Sequence, residues 1–134
     1  MNTMDTRLQS LTTFGIWNHL NIQVLEAQNG EAVIEMPVED HLKQKQGVLH
    51  GGIIATILDM GMALAATTVL SEEEYTTTLD FHTCYLRPMF GKVLRGKGKI
   101  VKKGKRVMVV TAEAYDEHGE LIATSTGNFM NLER

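Results

Sequence analysis

The sequence predicts an α+β domain in which an antiparallel sheet wraps one long, buried helix. Three observations carry this. Residues Gly51 to Leu70 are apolar in every direction except for one charge, Asp59, and a helix apolar all round belongs in an interior. The flanking segments alternate with period 2, the signature of strands. Only one long helix needs packing, and several strands are available to cover it.

The elements follow in order. Asp5 to Trp17 reads as a short helix, with Leu8, Leu11 and Phe14 spaced by three. Ile22 to Glu26 and Ala32 to Pro37 read as strands around Asn29-Gly30, a strong hairpin dipeptide. The polar stretch "VEDHLKQKQG" leads into the central helix, expected over about 51–70. Leu79, Phe81, Thr83 and Tyr85 share one face of the next strand, which ends near Arg87-Pro88. Gly91 to Val101 and Arg106 to Tyr115 form two more, and Leu121 to Met130 the last. Gly104 and Gly119 sit in turns.

The chain has 134 residues, which fits a single domain over 1–134 with one core. Its net charge of −3 argues against a nucleic-acid binder. One cysteine, Cys84, excludes an internal disulfide framework and suits a reducing compartment. The run from Ile53 to Ala66 is short for a membrane span, which needs about 20 apolar residues, and no signal peptide is visible. These features predict a cytoplasmic protein. Cys84 reads as a small core hydrophobe and His82 as a packed strand residue. His19, His41, His82 and His118 lack metal-ligand spacing, so neither metal nor cofactor is expected.

Lys92 to Arg106 holds eight of the 13 basic residues and no acid. The stretch reads first as a solvated hairpin that blunts a sheet edge, and otherwise as a landing site for a polyanionic ligand.

The centre of interest is "GVLHGGIIATILDMGMALAATTVL", residues 47–70. A carboxylate in an apolar element is costly unless paired. Asp59 therefore needs either a structural partner, such as a threonine hydroxyl, or a function. Gly51 and Gly52 are poor interior helix residues, yet at a helix start they leave amide N–H groups unobstructed. Such donors suit a carbonyl oxygen gaining negative charge. Gly51 and Asp59 are eight positions apart, a rise of about 12 Å, whereas a base acts within about 3 Å. If both are catalytic, Asp59 must come from a second copy, and two-fold symmetry makes two such sites.

"QKQGVLHGGIIATILDMGMALA" (44–65), "TTLDFHTCYLRP" and "GKIVKKGKRVMVVTAEAYDEHGELIATSTGNFMNL" together resemble the hotdog-fold acyl-CoA thioesterases, in particular the phenylacetate-degradation branch. The resemblance covers nearly everything from about Gly15 onward. It implies hydrolysis of an aryl- or medium-chain acyl-CoA by a homodimer or homotetramer, a dimer of dimers. It assigns carbonyl polarisation to the Gly51 N–H, with Gly52 beside it. Asp59 of the partner subunit would be nucleophile or general base. His50 and Gln44 would orient thioester and water, and Thr78 would hold the water or the carboxylate. Arg87, Lys103, Lys105 and Arg106 would meet the nucleotide and phosphates of coenzyme A. Apart from the resemblance, Met60 and Met62 read first as core filling, with the lining of an adaptable acyl pocket as the alternative. Relatives have asparagine or glutamine at Gln44, and glutamate or aspartate at Asp59. A non-catalytic acyl-CoA sensor of the same fold is the alternative, and a hotdog dehydratase a third reading that "HGG" fits poorly.

Overall fold

The helix expected from Asp5 to Trp17 breaks at Gly15, whose φ of 58° is a left-handed value that glycine tolerates. The break leaves α1 (Thr6–Thr12) and α2 (Ile16–His19). Leu8 is buried, while Leu11 and Phe14 are exposed, so the three do not form one core stripe. The computed structural model describes residues 6–134; the expected helix start at Asp5 lies outside the described residues.

Asn29 and Gly30 both have positive φ, 53° and 81°, as a two-residue I′ turn requires. They join β1 (Gln23–Gln28) to β2 (Glu31–Pro37), with Gln28 opposite Glu31. After α3 (Gly51–Thr67) come β3 (Glu74–Tyr85), β4 (Val93–Lys103), β5 (Val107–Asp116) and β6 (Leu121–Glu133). The six strands form one antiparallel sheet of order β1-β2-β4-β5-β6-β3. β1 and β3 are its edges.

α3 packs against one face of the sheet, mostly on β4 and β5. It ends at Thr67, short of the expected Leu70. The approach to the sheet is close because glycines stand at the crossing. A Cβ on Gly98 would overlap the Gly61 carbonyl oxygen, and one on Gly96 would sit 2.8 Å from Ile57 Cγ2. Ile54, Ile57, Leu58, Met62, Leu64 and Phe129 fill the core around this contact.

α3 is not covered all round. Gly52, Thr56, Asp59, Ala63 and Thr67 remain partly or fully accessible, and their spacings of 4, 3, 4 and 4 define one helical stripe. Asp59 sits in the middle of it.

β3 carries a bulge. Thr78 pairs with Phe129 and Asp80 with Asn128, leaving Leu79 unmatched. Leu79 is exposed, while Phe81 and Thr83 turn toward the inside. Leu79 therefore leaves the face expected to include it, because an extra residue resets the alternation.

Among the described residues no helix is long and apolar enough to cross a membrane.

Candidate active site

The segment entering α3 is built around a tight loop. The Gln44 N–H donates to the Val48 carbonyl (2.7 Å) and the Gly47 N–H to the Gln44 carbonyl (2.9 Å). Gly47, at φ 94°, permits this turn. The Leu49 N–H then donates to Met89 (3.0 Å) and the His50 N–H to Leu42 (3.2 Å), which fixes where the helix starts. His50 is the N-cap through its backbone: its carbonyl accepts from Ile53 and Ile54, and its side chain makes no capping bond. Its imidazole is solvent-exposed. The Gly51 and Gly52 N–H groups meet no acceptor among the described residues. They are the free donors a helix start provides, at the positive end of its dipole.

A cleft of about 380 Å³ opens beside Gly51, lined also by Gln44, Tyr85, Arg87 and Met89. The Tyr85 hydroxyl donates to the Gly51 carbonyl at 2.6 Å. This pins the first peptide of α3 and turns the tyrosine edge toward the cleft. Tyr85 was not singled out in the sequence; the "YLRP" strand end carries no signal that its side chain returns to the helix. Arg87 lies on the cleft wall and is ion-paired with Glu120 at 2.9 Å.

Asp59 is half-buried and has one side-chain partner, Thr78, whose hydroxyl donates to Oδ1 at 2.8 Å. Burial pushes the Asp59 carboxyl above the ordinary aspartate value, and the Thr78 bond pulls partly the other way. The structural partner foreseen for a buried aspartate is present. A single hydroxyl leaves most of the carboxylate's four acceptor positions open.

The structure brings Gln44, Gly51 and Arg87 together at one end of α3, and Asp59 with Thr78 further along it. Along the helix these halves are separated by about 12 Å. Lys103, Lys105 and Arg106 lie at the opposite end of α3 from Gly51. Lys103 Nζ donates to the Val69 carbonyl, just past the helix. Seventeen residues set the two ends about 25 Å apart, so the hairpin is remote from the Gly51 cleft of its own protomer. Further down the basic stretch, Arg95 pairs with Glu35 (2.7 Å) and Lys99 with Glu31 (3.7 Å) across β2. These two belong to a solvated sheet face.

Met60 and Met62 are packed in the core, in line with the first reading of them. Positions 60 and 62 are rotated off the Asp59 stripe by the 3.6-residue period. Cys84 is exposed rather than buried, because it alternates outward from Thr83 on the edge strand. His82 is likewise exposed; the contact there is made by its carbonyl, which accepts from Ser125 Oγ at 2.9 Å.

Comparison with known proteins places this architecture. Residues 46–123 match the model of the thioesterase superfamily. A Saccharolobus solfataricus protein provisionally named an esterase, SSO2140, is 34% identical over 117 residues, spanning 87% of this chain and 83% of its own. The Escherichia coli medium/long-chain acyl-CoA thioesterase YigI is 31% identical over 98 residues, 63% of each chain. Among solved structures, a thioesterase family protein from Silicibacter pomeroyi superimposes with a TM-score of 0.91 at 30% identity, covering 96% of this chain and 97% of that one. The PaaI protein of the Escherichia coli phenylacetic acid degradation operon shares the fold, with a TM-score of 0.84 at 19% identity over 92% of this chain and 88% of that one. A six-stranded antiparallel sheet around one helix is the hotdog fold, and with the family match running from the Gly47 loop into β6, the chain belongs to the thioesterase superfamily.

Proposed function

We propose that this protein hydrolyses an acyl-CoA thioester to a free acid and coenzyme A, at sites shared between two protomers. One observation carries the reading. Gly51, whose amide meets no acceptor among the described residues, lines a cleft, and the only carboxylate of α3 stands about 12 Å away on the open stripe of the helix. The relatives named above as thioesterases support the reaction class.

In the proposed mechanism the thioester carbonyl lies in the Gly51 cleft, with its oxygen on the Gly51 N–H. Gln44, on the cleft wall, and His50, the residue before Gly51, orient the thioester and a water. Asp59 of the partner subunit accepts a proton from that water, whose oxygen bonds to the carbonyl carbon. The resulting oxyanion is held by the amide, an interaction worth about 100- to 1000-fold per donor. The C–S bond then breaks, and the coenzyme A thiolate recovers the proton from Asp59. A carboxyl pushed upward by burial is a better base near neutral pH than an ordinary aspartate. Thr78 fixes one carboxylate oxygen and leaves the other for the water.

Arg87 stands where phosphates of the departing coenzyme A could be met. Two antiparallel α3 helices related by a two-fold axis between Gly51 and Asp59 would carry the partner's Lys103, Lys105 and Arg106 toward the same side. In this reading the basic hairpin serves the neighbour's cleft.

Free-thiol release from a panel of acyl-CoAs, measured for wild type and Asp59→Asn, tests the proposal. Turnover that Asp59→Asn abolishes is expected. Equal turnover by both proteins, or none by wild type on any thioester, would overturn it. Single-turnover hydrolysis in ¹⁸O-water tests the nucleophilic role, since label in Asp59 requires an acyl-aspartyl anhydride that water opens at the aspartyl carbon.

A further inference from the structure

The edge strand β3 carries different chemistry on its two faces. Phe81 and Thr83 turn inward, whereas Asp80, His82 and Cys84 are exposed and alternate onto the outer face, away from α3. The Cys84 thiol is free. The His82 ring makes no hydrogen bond or ion pair among the described residues. Asp80 has one oxygen engaged, accepting from Asn128 Nδ2 at 2.9 Å. Beside Cys84 and His82 on β6 stand Thr124 and Thr126. Neither β6 nor its neighbour β5 contains a basic residue, so no cation competes for this group.

A site that takes Gly51 from one protomer and Asp59 from the other fixes how two copies of this edge pair. Tyr85 is bonded to Gly51 and Thr78 to Asp59, so Tyr85 comes opposite the partner's Thr78. Leu79, unmatched in the bulge, drops out of the count. Six ladder steps then separate Thr78 from Tyr85, and His82 is three from each. Two-fold pairing therefore sets His82 against the partner's His82 and Cys84 against the partner's Asp80. Side chains directly opposite in an antiparallel pair share a face, with Cβ atoms about 4.5–5.5 Å apart. The next residue on that face lies about 6.7 Å along the strand.

We propose that the outer face of the paired edges binds one zinc ion close to the two-fold axis, held by His82 and Cys84 of one protomer and by the partner's His82 and the partner's Asp80. The proposal rests on the shared-site reading. Within one protomer the described residues hold no group of three such side chains; pairing doubles the set. Two imidazole nitrogens, a thiolate and a carboxylate oxygen at about 2.0–2.3 Å are a zinc donor set. The thiol releases its proton to solvent as the ion binds. Metal-ligand spacing is absent along the chain because the axis supplies the second histidine. With four protein ligands no position is open for substrate, so the ion clamps the two edges together and takes no part in the chemistry. The two thiols do not bond to each other: Cys84 is four ladder steps, about 13 Å, from the partner's Cys84, and a disulfide needs Cα atoms roughly 4.4–6.8 Å apart.

Two measurements on the full chain, stripped of metal by a chelator, test the register and the ion separately. Combining His82→Cys with Cys84→Ser puts the only thiol on the axis, and mild oxidation should join the protomers covalently. Wild-type protein titrated with Zn²⁺ should take up one ion per two protomers by native mass spectrometry. Co²⁺ in its place should show sulfur-to-metal charge-transfer absorption that Cys84→Ser abolishes. His82→Asn removes two of the four ligands at once, so its loss of affinity should exceed the about 10- to 100-fold typical of an outer-shell partner. Cross-linking without Zn²⁺ uptake overturns the metal site and leaves the shared active site standing. A folded double variant that does not cross-link overturns the register, and with it both the ion site and the shared-site reading. One ion per protomer, a cobalt spectrum without a sulfur band, or unchanged affinity in His82→Asn also overturns the proposal.

Discussion

Mixing two inactive variants tests where the acid comes from. Gly51 and Asp59 are eight residues apart on one straight helix, a rise of about 12 Å, and proton transfer needs heavy atoms within about 3 Å. Gly51→Val damages one half of the site. Even a Cβ there meets Tyr85 Cζ and Oη at 3.4 Å, so a branched side chain must displace the tyrosine and crowd the amide. Losing such a donor costs about 100- to 1000-fold. Asp59→Asn removes the other half with little change in shape. If every site takes its amide from one protomer and its acid from the other, a mixed dimer carries one intact site and one doubly damaged site. Random exchange of equal amounts makes about half of the dimers mixed, so about a quarter of wild-type sites reappear. The assay is thiol release after co-refolding, with native mass spectrometry counting mixed dimers. Mixed dimers without recovered activity, or full activity in a monomer, would refute the geometric reasoning.

Further outcomes follow from individual contacts. Thr78→Val removes the bond that favours ionised Asp59. A base works above its pKa and is lost as pH falls through it, so the acidic limb of kcat/KM should move to higher pH; an unmoved limb would refute the coupling, and Thr78→Ser should restore the wild-type limb. Tyr85→Phe removes the 2.6 Å bond to the Gly51 carbonyl, worth about 0.5–1.5 kcal/mol, and should lower kcat/KM by at most about 2- to 12-fold, the equivalent of that energy; an unchanged kcat/KM would show that the tyrosine does not position the Gly51 amide. Gly98→Ala forces a methyl onto the Gly61 carbonyl; overpacking of this kind costs about 1–3 kcal/mol, so an unchanged urea midpoint would show that α3 can retreat from the sheet.

Local signals were readable wherever one short stretch decides the structure. Asn29-Gly30 fixes its turn by its own dihedrals, and Asp59 stands out because a charge in an apolar run must be answered. The partner hydroxyl of Asp59 was foreseeable as a type and, through the family resemblance, as Thr78. What lay beyond reach depends on contacts distant in sequence. Glu35 neutralises Arg95 only because β2 lies beside β4 in the sheet, an order the strand pattern does not reveal. The closeness of Gly61 to Gly98 is likewise a property of the packed pair, since neither glycine occupies a turn.

The bulge at Leu79 explains how one strand can serve two half-sites. Thr78 and Tyr85 are seven positions apart, and in a regular strand an odd separation points two side chains to opposite faces. Strict alternation places Tyr85 with Leu79 and so excludes Thr78 from that face. The extra residue reverses the parity. Thr78 then reaches Asp59 and Tyr85 reaches Gly51, each by a direct hydrogen bond. Under the shared-site proposal those two residues belong to different active sites of a dimer, and β3 keeps the spacing between them fixed. β3 is also an edge of the sheet, where backbone groups lack a ladder partner on one side and can pair with another chain. A strand that aligns both half-sites and keeps a free edge beside them gives a second copy a template for completing each half with its own.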